Sequence, residues 1–340
     1  MNVLVTGGGG FLGGAIVRRL VARGDRVRTL QRSAYPWHDT LGVRGIRGDL
    51  ADRQAVRRAV AGCDAVLHVA AKAGVWGDYD AFYQANVVGT RNVVQACRQE
   101  EVRWLVYTSS PSVVFDGRDE RGIDESAPYP KRYLAHYPAT KALAEQHVLA
   151  ANGDALKTVA LRPHLIWGPG DPHLVPRIID RARRGRLRLV GRRGNLVDST
   201  YVDNAAWAHV IALDRLDADG TCAGKAYFIS NGEPLPMAEL INRILAAAGL
   251  PPITRHVSPR VAYAVGAGLE ATYRLLPLEG EPMMTRFVAR QLATQHWFDL
   301  TAARRDLGYR PNISLDEGMR RLANHLQHVA TDKPAPSRKA

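Results

Sequence analysis

The run VTGGGGFLGG, from Val5 to Gly14, constrains this chain more than any other segment. It follows a short β-branched stretch, Asn2–Thr6, and opens a stretch of helical periodicity, FLGGAIVRRLVARG. Glycines at such a strand-to-helix junction permit a tight turn and let backbone N–H groups approach a pyrophosphate at the positive end of a helix. The spacing reads as Gly7-x-x-Gly10-x-x-Gly13 or as Gly8-x-Gly10-x-x-Gly13, and either satisfies the same physics. A glycine cluster alone also marks ordinary turns. The strand before it and the helix after it point to a dinucleotide site.

The rest of the first half keeps strand and helix in alternation. Strands are expected at Val27–Gln31, Val43–Arg47, Ala65–Ala70, Trp104–Ser109 and Thr158–Arg162, and helices at Arg53–Val60, Tyr79–Arg98 and Pro138–Ala151. Repeated βα units of this length predict an α/β fold, a Rossmann-type doubly wound parallel sheet with a smaller C-terminal substrate-binding region. The dinucleotide-binding domain is expected over residues 1–165, with 200–230 returning to it through Thr200–Leu213 and Ala226–Ser230. The substrate-binding region is expected over 166–199 and 231–328, and a disordered tail over 329–340.

The end of the second strand separates the two nicotinamide cofactors. An acid there accepts from the ribose hydroxyls of NAD. This chain has Gln31-Arg32-Ser33 instead. Arg32 can pair with a 2′-phosphate that a carboxylate would repel, so NADP(H) is preferred over NAD(H).

Two further motifs carry chemistry. Tyr137-Pro-Ala-Thr-Lys141 puts a phenol and an ammonium one helical turn apart on one face. Tyr107-Thr-Ser-Ser110 closes a strand, where a parallel sheet presents functional groups at its carboxyl edge. Lowering a phenol from pKa ~10 to near neutrality takes about 4 kcal/mol. A cation ~4 Å away supplies that much only at an effective dielectric of ~20, inside a closed cleft.

With these motifs in place the chain resembles the extended short-chain dehydrogenase/reductase family, within it the 3β-hydroxysteroid dehydrogenase-like group. The likeness also rests on Gly48–Leu50, His68–Ala71, Asn86–Thr90, Arg162–Asp171 and Tyr201–Asn204. Ala71–Thr90 and Pro282–Leu300 look most like reductases of long-chain 2-alkyl-3-oxo acids from bacterial olefin biosynthesis. The resemblance implies that Tyr137 is the acid/base, that Lys141 binds the nicotinamide ribose and lowers the tyrosine pKa, and that Ser110, rather than Ser109, hydrogen-bonds the carbonyl. It implies a cofactor cleft formed by Gly7, Gly10, Phe11, Leu12, Gly13, Arg32, Asp49, Leu50, Ala70, Ala71, Asn86 and Pro163, together with Tyr137 and Lys141. The reaction it implies is NADPH-dependent reduction of a lipid-like ketone to a secondary alcohol. A 3β-hydroxysteroid or sterol dehydrogenase is the neighbouring alternative. An NAD-retaining sugar-nucleotide epimerase is a more distant one, disfavoured by the missing acid after the second strand. A homodimer, and association with other enzymes of a pathway, follow from the resemblance alone.

Composition excludes several classes. No uninterrupted apolar run is long enough for a membrane span, the strand pattern begins at Asn2 and leaves no room for a leader, and a cytoplasmic location is expected. Cys63, Cys97 and Cys222 are scattered and odd in number, which suits reduced thiols, and no spacing predicts a metal site. The net charge is +13, with eight arginines in Arg177–Arg193. That stretch is either a docking face for an anionic partner or a solvated helix and strand; no nucleic-acid motif accompanies it. Val261–Leu276, with Tyr263, Leu269, Tyr273 and Leu275, reads either as part of a lipid-chain pocket or as a core helix.

Overall fold

The computed structural model describes residues 1–191, 194–276 and 278–331. Seven parallel strands form the central sheet: β1 (Asn2–Thr6), β2 (Arg26–Gln31), β3 (Arg44–Arg47), β4 (Ala65–His68), β5 (Trp104–Thr108), β6 (Lys157–Pro163) and β7 (Ala226–Ile229). Their spatial order is β7-β6-β5-β4-β1-β2-β3. The chain winds outward from β1 to β3 and then returns to β4 on the other side. The carboxyl ends of β1 and β4 therefore flank the switch point, where such sheets open a crevice.

Side-chain alternation explains the layers. Val3 and Val5 face one way and Leu4 the other, and all three are fully buried. The first face packs under α1 (Phe11–Ala22) and the helix Val202–Ala218, through Ile16, Val17, Leu20, Ala208 and Ala212. The second packs under α2 (Arg53–Val60), α3 (Gly89–Gln99) and α4 (His136–Ala150), through Val56, Val60, Val93, Ala144 and Val148. A strand buried on both faces is largely apolar, as β4 and β5 are up to their last residues, His68 and Thr108.

Three expectations change in detail. The single helix expected at Tyr79–Arg98 is a short helix Tyr79–Phe82, a π-helical turn Tyr83–Val88 and then α3. The wider turn directs Asn86 inward, where it is fully hydrogen-bonded. Of Thr200–Leu213, only Thr200–Tyr201 is extended, pairing with Ile166–Trp167; the rest is helical and covers the sheet, and the returning strand is β7. Residues 329–331 of the expected tail close the helix Leu315–Thr331, and 332–340 lie outside the described residues.

Beyond the sheet, a small four-stranded sheet joins Glu120–Ile123 and His296–Phe298 to Leu196–Val197 and Leu235–Pro236. The helices Pro259–Leu275 and Arg286–Ala293 pack on each other beside it. The core-helix reading of Val261–Leu276 does not hold. Within Pro259–Leu275 only Ala262, Gly266 and Glu270 are buried, so it is a surface helix. Among the described residues no helix is long and apolar enough to cross a membrane, and no group of three or more His, Cys, Asp or Glu side chains is placed to hold a metal ion. Cys63, Cys97 and Cys222 are buried free thiols.

Candidate active site

The glycine-rich loop turns sharply between β1 and α1. Gly7 has φ +69°, and a Cβ at Gly13 would lie 2.1 Å from the Gly7 carbonyl oxygen. The loop is drawn tight by Gly10 N–H donating to Gly7 O at 2.9 Å. Gly10 precedes the helix in an extended conformation, no side chain caps the helix, and its first turn carries no acid. Open N–H groups at the positive end of α1, without a competing carboxylate, fit a pyrophosphate. Phe11 is half-buried. Leu12 packs into the core, so it contributes backbone rather than side chain to this loop.

The ends of β1 and β4 are clipped together. Thr6 Oγ1 accepts from Val69 N–H and Ala70 N–H, each at 3.1 Å, and bonds His68 Nδ1 at 2.7 Å. His68 Nε2 lies 2.9 Å from Thr90 Oγ1, whose hydroxyl donates to the Asn86 carbonyl at 2.6 Å. Burial, and then the Lys141 charge, hold His68 down at about 3, so it stays neutral and works as a structural link. Ala70 comes within 3.0 Å of where a Gly7 Cβ would stand, and Ala71 beside it is exposed. Asn86 spends its amide on Lys72 N–H (2.7 Å), Lys72 O (3.1 Å) and Thr140 Oγ1 (3.0 Å). It therefore ties the loop after β4 to helix α4.

On the far side of the switch point, Arg32 is exposed immediately after β2. Asp49 is also exposed and accepts from Ala51 N–H at 2.9 Å; Leu50 packs beside Gly89. Pro163 is the buried last residue of β6.

Helix α4 starts after an extended Ala135, with Pro138 in its first turn, where a missing N–H costs nothing. It presents Tyr137, Lys141 and Glu145 at intervals of four. Ser110 leaves β5 in extended conformation and caps the turn Pro111–Val113: its Oγ accepts from Ser112 N–H at 3.3 Å and lies 2.9 Å from Ser112 Oγ. The Ser110 hydroxyl is also near enough to the Tyr137 phenol to favour its ionised form. Ser109 Oγ is buried with no partner, which separates the two serines. Lys141 is fully buried, its Nζ donating to the Thr108 carbonyl at 2.6 Å and standing 4.2 Å above the Tyr107 ring.

Burial raises the Tyr137 pKa, and the nearby Ser110 hydroxyl pulls it back. Tyr137 and Lys141 are both desolvated, and desolvation penalises each charged form. Lys141 is itself lowered to about 7 by burial, opposed by Glu145. Glu145 in turn is clamped by Arg162, with Nη2–Oε1 2.6 Å and Nε–Oε2 3.0 Å, and by the Tyr129 hydroxyl at 2.6 Å. Ser112, Glu145 and Tyr129 were not singled out from sequence, and Thr108 and Arg162 stood inside quoted motifs without a role of their own. The interval of four between Lys141 and Glu145 is the signal that could have found the acid.

The expected basic stretch divides. Arg177 pairs with Glu281 at 2.6 Å, Arg181 donates to Met283 O at 2.9 Å and Arg184 pairs with Asp180 at 2.9 Å; Arg192 and Arg193 lie outside the described residues.

Known proteins resemble this chain along nearly all of its length. The pattern of the 3-beta hydroxysteroid dehydrogenase/isomerase family matches residues 4–258. A 2-alkyl-3-oxoalkanoate reductase of Stenotrophomonas maltophilia (strain K279a) is 58% identical, over 95% of this chain and 98% of that protein. One of the same description from Shewanella oneidensis is 54% identical, over 96% of this chain and 86% of its own. The Homo sapiens sterol-4-alpha-carboxylate 3-dehydrogenase, decarboxylating, is 35% identical over 96% and 88%. Among solved structures, MoeE5 in complex with UDP-glucose and NAD superimposes with TM-score 0.76 at 26% identity, covering 97% of this chain and 100% of that one. The Thermus thermophilus UDP-glucose 4-epimerase complex with NAD gives 0.72 at 28%, covering 96% and 99%.

Proposed function

The chain belongs to the 3-beta hydroxysteroid dehydrogenase/isomerase family of extended short-chain dehydrogenases/reductases, NAD(P)-dependent enzymes acting on alcohol and ketone groups, and we propose that it reduces a long-chain 2-alkyl-3-oxoalkanoate to the 2-alkyl-3-hydroxyalkanoate with NADPH. One observation carries the chemistry: Ser110, Tyr137 and Lys141 converge at the carboxyl ends of β4 and β5, beside an uncapped helix N-terminus. The near-full-length relatives named for this reaction support the substrate class.

The reduced nicotinamide supplies a hydride to the carbonyl carbon when bound. The loop Gly7–Gly13 would hold its pyrophosphate, Asp49, Leu50, Ala70 and Ala71 would line the cleft, and Pro163 would close it. Arg32, exposed where an NAD-selective site carries an acid, supports NADPH over NADH. Ser110 donates a hydrogen bond to the substrate carbonyl oxygen and Tyr137 gives that oxygen its proton. A phenol held above its ordinary pKa is fully protonated at neutral pH, which is the form reduction consumes. Lys141 anchors the nicotinamide ribose and adds positive charge beside the developing alkoxide. Asn86 and Thr140 hold α4 against the loop after β4, keeping phenol and cleft in register. A cytoplasmic homodimer working beside the other enzymes of its pathway accords with this reading.

The position after the strand-end serines carries Ser112, bonded to Ser110, and not the acid that dehydratases need. Consumption of NADPH in step with a 2-alkyl-3-oxo acid, and not with a 3-ketosteroid or UDP-glucose, tests the assignment. Tyr137→Phe should keep nucleotide affinity and lose about 100-fold or more in turnover. A near-wild-type rate in that variant removes the phenol from the mechanism.

A further inference from the structure

The outer seam of the helix Pro259–Leu275 has no partner among the described residues. Its inner face is committed: a Cβ at Gly266 would meet the Thr285 carbonyl carbon at 2.7 Å, and Glu270 accepts from Arg286 N–H and Nε–H, each at 2.7 Å. The opposite positions, Val261, Val265, Gly268, Thr272 and Leu275, recur at alternating intervals of four and three and form a continuous stripe. Leu275 is 82% exposed, Val261 54% and Val265 50%, and the stripe continues into Leu276, Leu278 and Met283, all exposed.

Charge around the stripe has one dominant sign. Arg255 and Arg260 are exposed at its beginning, Arg290 lies with its guanidinium 5.0 Å over the Tyr263 ring, and Arg274 stands at its end. Of the carboxylates on this helix and the segment after it, among the described residues, Glu270 is neutralised by Arg286 and Glu281 by Arg177, which leaves Glu279. The aromatic side chains that anchor protein interfaces are turned away from this surface. Tyr263 lies under Arg290, and Tyr273 packs edge-on against Trp76 at 6.1 Å. Aliphatic side chains on one helix seam, rimmed by arginines whose stems can follow them into an interface, match the headgroup zone of an anionic bilayer.

We propose that this seam docks the protein peripherally on anionic lipid membranes. Its end contacts the loop after β4: the Arg274 guanidinium lies 5.7 Å over the ring of Trp76, four residues beyond Lys72, through which Asn86 ties that loop to helix α4. A long-chain substrate then reaches Tyr137 from the bilayer without crossing open water. That delivery role rests on the reading under Proposed function; the docking itself does not.

Flotation of the full chain with phosphatidylcholine vesicles, with and without phosphatidylglycerol, tests the proposal. Binding is expected to anionic vesicles alone and to weaken as salt is raised. Val265→Asp with Leu275→Asp should cut the partition by about ten-fold or more, and Arg260→Glu by roughly five-fold, with melting temperature unchanged. The proposal is overturned if anionic vesicles are not bound or if the variants bind like wild type. It is equally overturned if the double variant instead dissociates a dimer in sedimentation, or abolishes only the capture of an acidic protein. Turnover of a short, soluble 2-alkyl-3-oxo acid is measured alongside. Its absence counts against the assigned reaction, and flotation still decides the docking.

Discussion

Replacing Lys141 with methionine should stabilise the fold near neutrality while abolishing turnover, and the gain should vanish as pH rises. The ammonium is fully buried, and desolvation brings its pKa from 10.5 to about 7. At ~1.36 kcal/mol per unit, that displacement is a penalty of about 5 kcal/mol on the charged form at pH 7 and below. Methionine in turn gives up the bond to the Thr108 carbonyl, ~2 kcal/mol, and the contact with the Tyr107 ring, ~1 kcal/mol. Methionine, of similar length and without charge, should therefore gain roughly 2 kcal/mol at pH 7. The sign follows from proton counting. Between the folded value near 7 and the unfolded one near 10.5, the unfolded chain binds the extra proton, so wild-type stability rises with pH. The slope reaches ~1.4 kcal/mol per unit, and the variant lacks that contribution. Urea unfolding of both proteins at several pH values from about 6 to about 10, without nucleotide and at constant m, measures the difference. A difference that stays level across that range would refute the argument that burial controls this lysine.

Arg32→Glu should lower kcat/KM with NADPH by about ten-fold or more and leave that with NADH equal or improved, because a carboxylate there repels the 2′-phosphate; steady-state kinetics with both coenzymes reads it. Gly13→Ala sets a methyl 2.1 Å from the Gly7 carbonyl, so the loop must open. Nucleotide affinity by fluorescence titration should fall by about ten-fold or more, with a loss of roughly 1–3 kcal/mol in stability. Glu145→Gln leaves the Arg162 charge buried without its counter-ion and should cost about 3–5 kcal/mol in urea unfolding.

What the sequence carried legibly was local. The glycine loop, the apolar strands and the interval of four in Tyr137–Lys141 each encode a geometry that a few neighbouring residues determine. The sheet order and the site's corner follow from them by general rules of parallel topology. What the sequence left unsaid lies between partners distant in it. The interval of four sets Lys141 on the same helix face as Tyr137, but what fixes its ammonium is the carbonyl of Thr108 and the ring of Tyr107, both on β5. The π-helical turn that directs Asn86 inward was also missed, since its reason is a bond to Lys72 on one side and Thr140 on the other. Charge followed the same rule. Eight arginines within Arg177–Arg193 left a docking face open as a reading; Arg177 and Arg181 hold the segment at 281–283 and Arg184 pairs with Asp180 of its own helix, while Arg183 and Arg186 stay exposed. A surface that is basic and apolar together belongs to a helix some eighty residues later, whose apolar composition suits a pocket wall or a core equally well. A run of like residues measures how much of a side-chain type is present. Which of those side chains remain free to meet something outside the molecule is decided by the contacts that folding closes first.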